Sequence, residues 1–162
     1  MDIRNALSKY SAISIVAAGA VICIAGWTIL RQAQGVGASS GIKAYFSADD
    51  GQTWFTDDVT RPFPFDHDGA PAYRAMVFRC GDTTFCGYLQ ALPEKTRDAL
   101  EALPPNWEAR YAAMQSDSDQ IMVKKPGEKS WVHQGNTRYE QIIKPTCPDG
   151  SGQAPVPVNP NL

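Results

Sequence analysis

Positions 11–30, SAISIVAAGAVICIAGWTIL, carry no charge and show no polar face through successive turns. A helix that is apolar all round belongs in lipid or in a deep protein interior. At a rise of about 1.5 Å per residue, such a stretch spans about 30 Å, the hydrocarbon thickness of a bilayer. Arg4 and Lys9 flank it on one side and Arg31 on the other, and Trp27 sits near one end, where an indole suits the interface. The length favours an uncleaved signal-anchor helix over 11–31. A cleaved signal peptide, whose apolar region normally runs about 7–15 residues, and a buried core helix are the alternatives.

Beyond residue 31 the pattern changes. RQAQGVGASSG is small and polar, which predicts a linker over 32–40. IKAYFS and TWFT then predict a β-hairpin turning at ADDG, and YRAMVFRC and TFCGYLQ a second hairpin. Between them DDVTRPFPFDHDGAP, rich in Pro, Asp and Gly, reads as a loop. The period then becomes helical. PEKTRDALEAL sets Ala99, Leu100 and Leu103 on one face, and Pro104-Pro105 ends it. NWEARYAAMQ sets Trp107, Tyr111 and Met114 at i, i+4 and i+7. QIMVKK predicts a strand, and TRYEQII a short helix with Thr137 and Glu140 at capping-box spacing. Residues 148–162 have the composition of a disordered Pro-rich tail.

The expected architecture is α+β: an N-terminal transmembrane helix, then a small antiparallel sheet with one or two packed helices. The expected organisation is a cytoplasmic tail over 1–10, the anchor over 11–31, the linker over 32–40, an exported domain over 41–147 and the tail over 148–162. Positive charge is nearly balanced across the span, so orientation rests on the short N-terminal tail staying in the cytoplasm. That places the C-terminal domain in the periplasm or outside, with the lipid bilayer as partner through 11–31. From Ser40 onward 12 Lys/Arg stand against 16 Asp/Glu, a weakly acidic balance with no electrostatic footprint for nucleic acid.

Cys23 lies within the apolar stretch; Cys80, Cys86 and Cys147 lie beyond it, without CxxC or zinc-type spacing. If Asp82-Thr83 is a two-residue turn, Cys80 faces Phe85 and Cys86 faces Arg79, so the two thiols point to opposite sheet faces. A longer turn changes that register. A Cys80–Cys147 bridge is favoured, with three reduced, buried thiols as the alternative.

The stretch Ser47–Phe55, SADDGQTWF, fits S-x-D-x-G-x-T-W at every fixed position, the Asp-box of sialidases and other propeller hydrolases. In this motif the Asp and Ser side chains bond turn amides and the Trp packs beneath; it stabilises a fold. A sialidase site needs residues from several blades, which one motif in this length does not supply. Asp49, Asp57, Asp66, His67 and Asp68 fall close together and offer hard oxygen ligands, a candidate Ca²⁺ site. An EF-hand loop does not fit, because Pro64 and Ala75 would occupy its first and twelfth positions. The competing reading places these aspartates in turns. Neither His67 nor His133 stands near a nucleophile-elbow motif, so no catalytic residue and no obligate cofactor is expected.

AYFSADDGQTWF, PFDHDGAPAYRAMVFRC, GYLQ, VKKPGEKSWV and KPTCPDG, in that order, resemble a group of uncharacterised planctomycete single-pass envelope proteins with one Asp-box-like hairpin and a small exported domain. The likeness covers about Tyr45 to Gly150. It implies a fixed anchor and pairing of the cysteines at Cys80 and Cys147; Cys86 departs from the pattern. It implies no activity. The expected role is non-catalytic binding or assembly at the membrane surface, with an envelope protein or a glycan as partner. The second reading is a Ca²⁺-dependent glycan- or peptidoglycan-binding module, with sugars stacking on Trp54, Phe55, Phe63, Phe65 or Trp131; a glycan hydrolase using the aspartates is the third.

Overall fold

The computed structural model describes residues 39–104 and 106–161. The stretches 1–10, 11–31 and most of 32–40 lie outside the described residues, and with them the expected anchor. Among the described residues no helix is long and apolar enough to cross a membrane.

The domain is α+β, as the pattern predicts, with an antiparallel sheet and few helices. Strands β1 (Lys43–Ser47), β2 (Phe55–Asp58), β3 (Phe65–His67), β4 (Ala70–Cys80), β5 (Thr83–Ala91) and β6 (Met122–Lys124) run in chain order, with β7 (Val156–Pro157) last. Helices α1 (Glu94–Glu101) and α2 (Trp107–Ser116) follow β5, and α3 (Thr137–Ile142) follows β6. The main path of the sheet is β2-β1-β4-β5-β6, with β3 and β7 each paired to β4.

The two expected hairpins form, and the stretch read as a loop holds a third. His67 pairs with Ala70 across Asp68 and Gly69, both at positive φ, the geometry of a type I′ turn. Asp–Gly satisfies that turn at low cost, so the proline-rich stretch yields a short strand. The β4–β5 turn is Gly81-Asp82, one residue earlier than expected: Cys80 pairs with Thr83 and Val77 with Cys86. The parity is unchanged, so Cys80 and Cys86 still lie on opposite faces. A register shift between Met76 and Val77 leaves Gly87 without a partner. This bulge moves Cys86 and Tyr88 onto opposite faces as well.

Two apolar layers flank the sheet. One face carries Phe46, Phe63, Leu92, Leu100 and Met114, covered by α1 and α2, and continues into Phe78, Tyr88, Val123 and Ile142 under α3. The other carries Ala75, Val77, Cys86 and Leu89 beneath Tyr73, Trp54 and Trp131. The cap of α3 is Asn136, whose side chain accepts from Arg138 N–H; Thr137 is the first helical residue, so the expected capping box does not form.

Residues 156–158 and Asn161 depart from the expectation of a disordered tail over 148–162. Val156 and Pro157 pair with Arg79 and Phe78, and Val158 N–H donates to Val77 C=O at 2.9 Å. Because β5 pairs the same two β4 residues, β7 lies on the opposite edge of β4, which β1 leaves open. Proline is tolerated on such an edge. Farther on, the Asn161 side chain accepts from Lys43 N–H at 2.7 Å and donates to Lys43 C=O at 2.9 Å. Composition misled here because a bare strand edge recruits main-chain bonds, for which a polar, Pro-rich segment is adequate.

Candidate functional site

The S-x-D-x-G-x-T-W stretch joins β1 to β2 and is saturated by its own hydrogen bonds. Ser47 Oγ donates to Asp49 Oδ1 and accepts from Gly51 N–H, both at 2.8 Å. The Asp49 carboxylate accepts from Thr53 N–H at 2.9 Å and from Thr53 Oγ1 at 2.6 Å. These Thr53 bonds, with the Ser47 hydroxyl, hold the Asp49 pKa down at about 2. The turn's positive-φ residues are Asp50 and Gly51. A Cβ at Gly51 would fall 2.9 Å from Pro126 Cγ and 3.1 Å from Cys86 Sγ, so the loop lies directly over the buried thiol.

The other expected metal ligands are dispersed. Asp57 pairs with Arg61 and accepts from Asp58 N–H at 2.7 Å. Asp66 accepts weakly from Gly69 N–H at 3.4 Å, within the β3–β4 turn. His67 stacks on Phe55, centroids 3.9 Å apart, with Asp68 Oδ2 3.7 Å from its Nε2. Among the described residues no group of three or more His, Cys, Asp or Glu is placed to hold a metal ion. These aspartates occupy turns and strand ends, where they accept from nearby amides and side chains.

The aromatic residues weighed as sugar platforms have their faces engaged. Phe63 is fully buried. The Arg61 guanidinium lies 3.7 Å over Phe65, and His67 covers Phe55. Trp54 and Trp131 pack on the sheet face that carries Cys86. Beside them Lys124 forms a clamp that sequence reasoning missed. Its Nζ donates to Asp50 Oδ1 at 2.6 Å and to Glu128 C=O at 3.2 Å, and lies 5.3 Å from the Trp131 ring. Asp50 also accepts from Gly127 N–H at 2.7 Å. The clamp fixes the β1–β2 loop to the turn after β6.

Burial, reinforced by the carboxylate of Asp50, pushes the Cys86 thiol up to about 12. Such a thiol is inert as a nucleophile near neutral pH. Cys80 and Cys147 form a disulfide, Cα atoms 5.8 Å apart, which ties the end of β4 to the segment after α3. His133 is exposed, and its C=O accepts from Asn136 N–H.

A cleft of about 300 Å³ opens where β1, β4 and α2 meet the segment 157–161. Arg74 and Lys43 line it, together with Tyr111, and among the described residues no carboxylate does. Arg74 lies on the helix-covered face, paired in register with Phe46, its guanidinium 5.8 Å from the Phe63 ring. Among the described residues it makes no ion pair, and burial lowers its pKa against the opposing influence of Tyr111 and Tyr88. The signal in sequence was a single cation inside the apolar run AYRAMVF, easily read as a solvated strand position.

No family model, curated protein or solved structure matches this chain.

Proposed function

We propose that the chain is a membrane-anchored extracytoplasmic protein whose domain has a non-catalytic role in binding or assembly. The observation that carries this reading is the Cys80–Cys147 disulfide, which closes a loop of 67 residues in a domain preceded by the charge-free stretch 11–30. Structural disulfides persist in oxidising compartments, and a charge-free stretch of that length is suited to a bilayer. The saturation of Asp49 by Ser47 and Thr53 supports a scaffolding role for the motif rather than acid–base chemistry. The resemblance of the sequence to planctomycete single-pass envelope proteins fits the same reading. Alkaline carbonate extraction of cells expressing the full chain tests it. The protein is expected in the membrane pellet; its release into the supernatant would contradict the anchor.

A further inference from the structure

The cleft beside α2 has an electrostatic character opposite to the rest of the domain. The region from Ser40 onward is net acidic, yet among the described residues the cleft is lined by two cations and no carboxylate. Its other walls mix apolar side chains, among them Val59, Met76, Val77 and Val158, with Asn159 and Asn161. A guanidinium carries five N–H donors and is seldom left in a protected site without an acceptor. Stacking on Phe63 at 5.8 Å satisfies none of them. Arg74 lines the cleft and, among the described residues, makes no ion pair.

We infer that this cleft binds a small organic carboxylate, its charged end on the Arg74 guanidinium and its apolar body against Val59, Met76 and Tyr111. A planar carboxylate monoanion matches the bidentate fork and single charge of one arginine, whereas a phosphate dianion calls for a second cation, and Lys43 lies only at the exposed rim. The volume lies at the small end of the range for small-molecule sites. Lys43 stands at the rim and adds long-range attraction. The segment 157–161 forms one wall, held by the Asn161 bonds to Lys43 and by Val158 on β4. The inference deepens the binding role proposed above and rests on it.

Isothermal titration of the full chain in nanodiscs tests the site, with phenylacetate, phenylacetamide and phenylphosphonate as probes at matched ionic strength. Phenylacetate is expected to bind, the neutral amide not to bind, and Arg74→Gln to weaken phenylacetate about tenfold or more. Arg79→Gln, an exposed change on the same strand, is expected to leave affinity unchanged. Should Arg74→Gln fail to fold, Lys43→Gln on the exposed rim is expected to weaken binding about threefold instead. Absence of heat with phenylacetate, equal binding of the amide, or phenylphosphonate binding as tightly as phenylacetate would each overturn the assignment. So would affinity indifferent to Arg74, or to Lys43 where that variant stands in. Each of these results is independent of carbonate extraction, so the site can fail while the anchor stands.

Discussion

At the scale of single residues, two glycines and one lysine carry more of the domain than their size suggests. A Cβ added at Gly87 would fall 2.7 Å from the Phe78 ring and 3.0 Å from Pro145. Phe78 belongs to the buried layer under α3 and cannot retreat without disturbing Tyr88. Gly87→Ala should therefore destabilise the domain by about 1–3 kcal/mol through overpacking, measured by urea unfolding. Gly51 combines a φ of +84° with contact to Pro126 and Cys86, so it has conformational and steric reasons to remain glycine. Lys124 is mostly buried while its partner Asp50 is partly exposed. Asp50→Ala should cost about 2 kcal/mol by stranding the ammonium, and Asp50→Ala combined with Lys124→Met should recover part of that loss. A double-mutant cycle in urea reads the coupling; additive losses would show that the clamp contributes nothing.

At the scale of elements, most strands and helices α1 and α2 were legible from periodicity, because alternation and the i, i+4, i+7 spacing report burial directly, whereas α3 was read from a capping-box spacing that the structure does not use. What escaped was decided by contacts remote in sequence. The strand β3 was hidden in a Pro- and Asp-rich stretch, since its existence depends on a turn at Asp68-Gly69 rather than on propensity. The strand β7 was hidden because its partner edge belongs to β4, far away in the chain. The candidate cleft was invisible for the same reason: Lys43, Arg74 and Tyr111 come from three separate elements. By contrast, the internal bonding of Ser47, Asp49 and Thr53 was readable, because the motif is local. The disulfide joins two such distant elements. Removing it as Cys80→Ala with Cys147→Ala should cost about 4 kcal/mol in the chain-entropy model, given a separation of 67 residues. Melting curves of the double variant check this, and an unchanged midpoint would mean the bridge restrains nothing in the unfolded chain.

For the molecule as a whole, stability should depend on acid in a definite direction. The hydrogen bonds from Thr53 and Ser47 hold Asp49 at about 2. Burial works to raise Asp58, but the bonds from Thr60, Ser39 and Ser40 outweigh it and leave Asp58 at about 2 as well. Both folded values lie below the ordinary carboxylate value, so each contributes stability that is fully present above about pH 4. That contribution is lost as pH falls from about 4 toward 2. Thermal melting from pH 6 to pH 2 should show a steep loss in this window, and Asp49→Asn with Asp58→Asn should flatten it. The claim on which the functional reading depends is that the domain folds in an oxidising compartment outside the cytoplasm. The most direct test is non-reducing peptide mapping of the full chain taken from cells whose thiols are trapped at the moment of lysis and alkylated after denaturation. A disulfide-linked Cys80–Cys147 peptide together with an alkylated Cys86 is the predicted result. Recovery of Cys80, Cys86 and Cys147 all alkylated would contradict it.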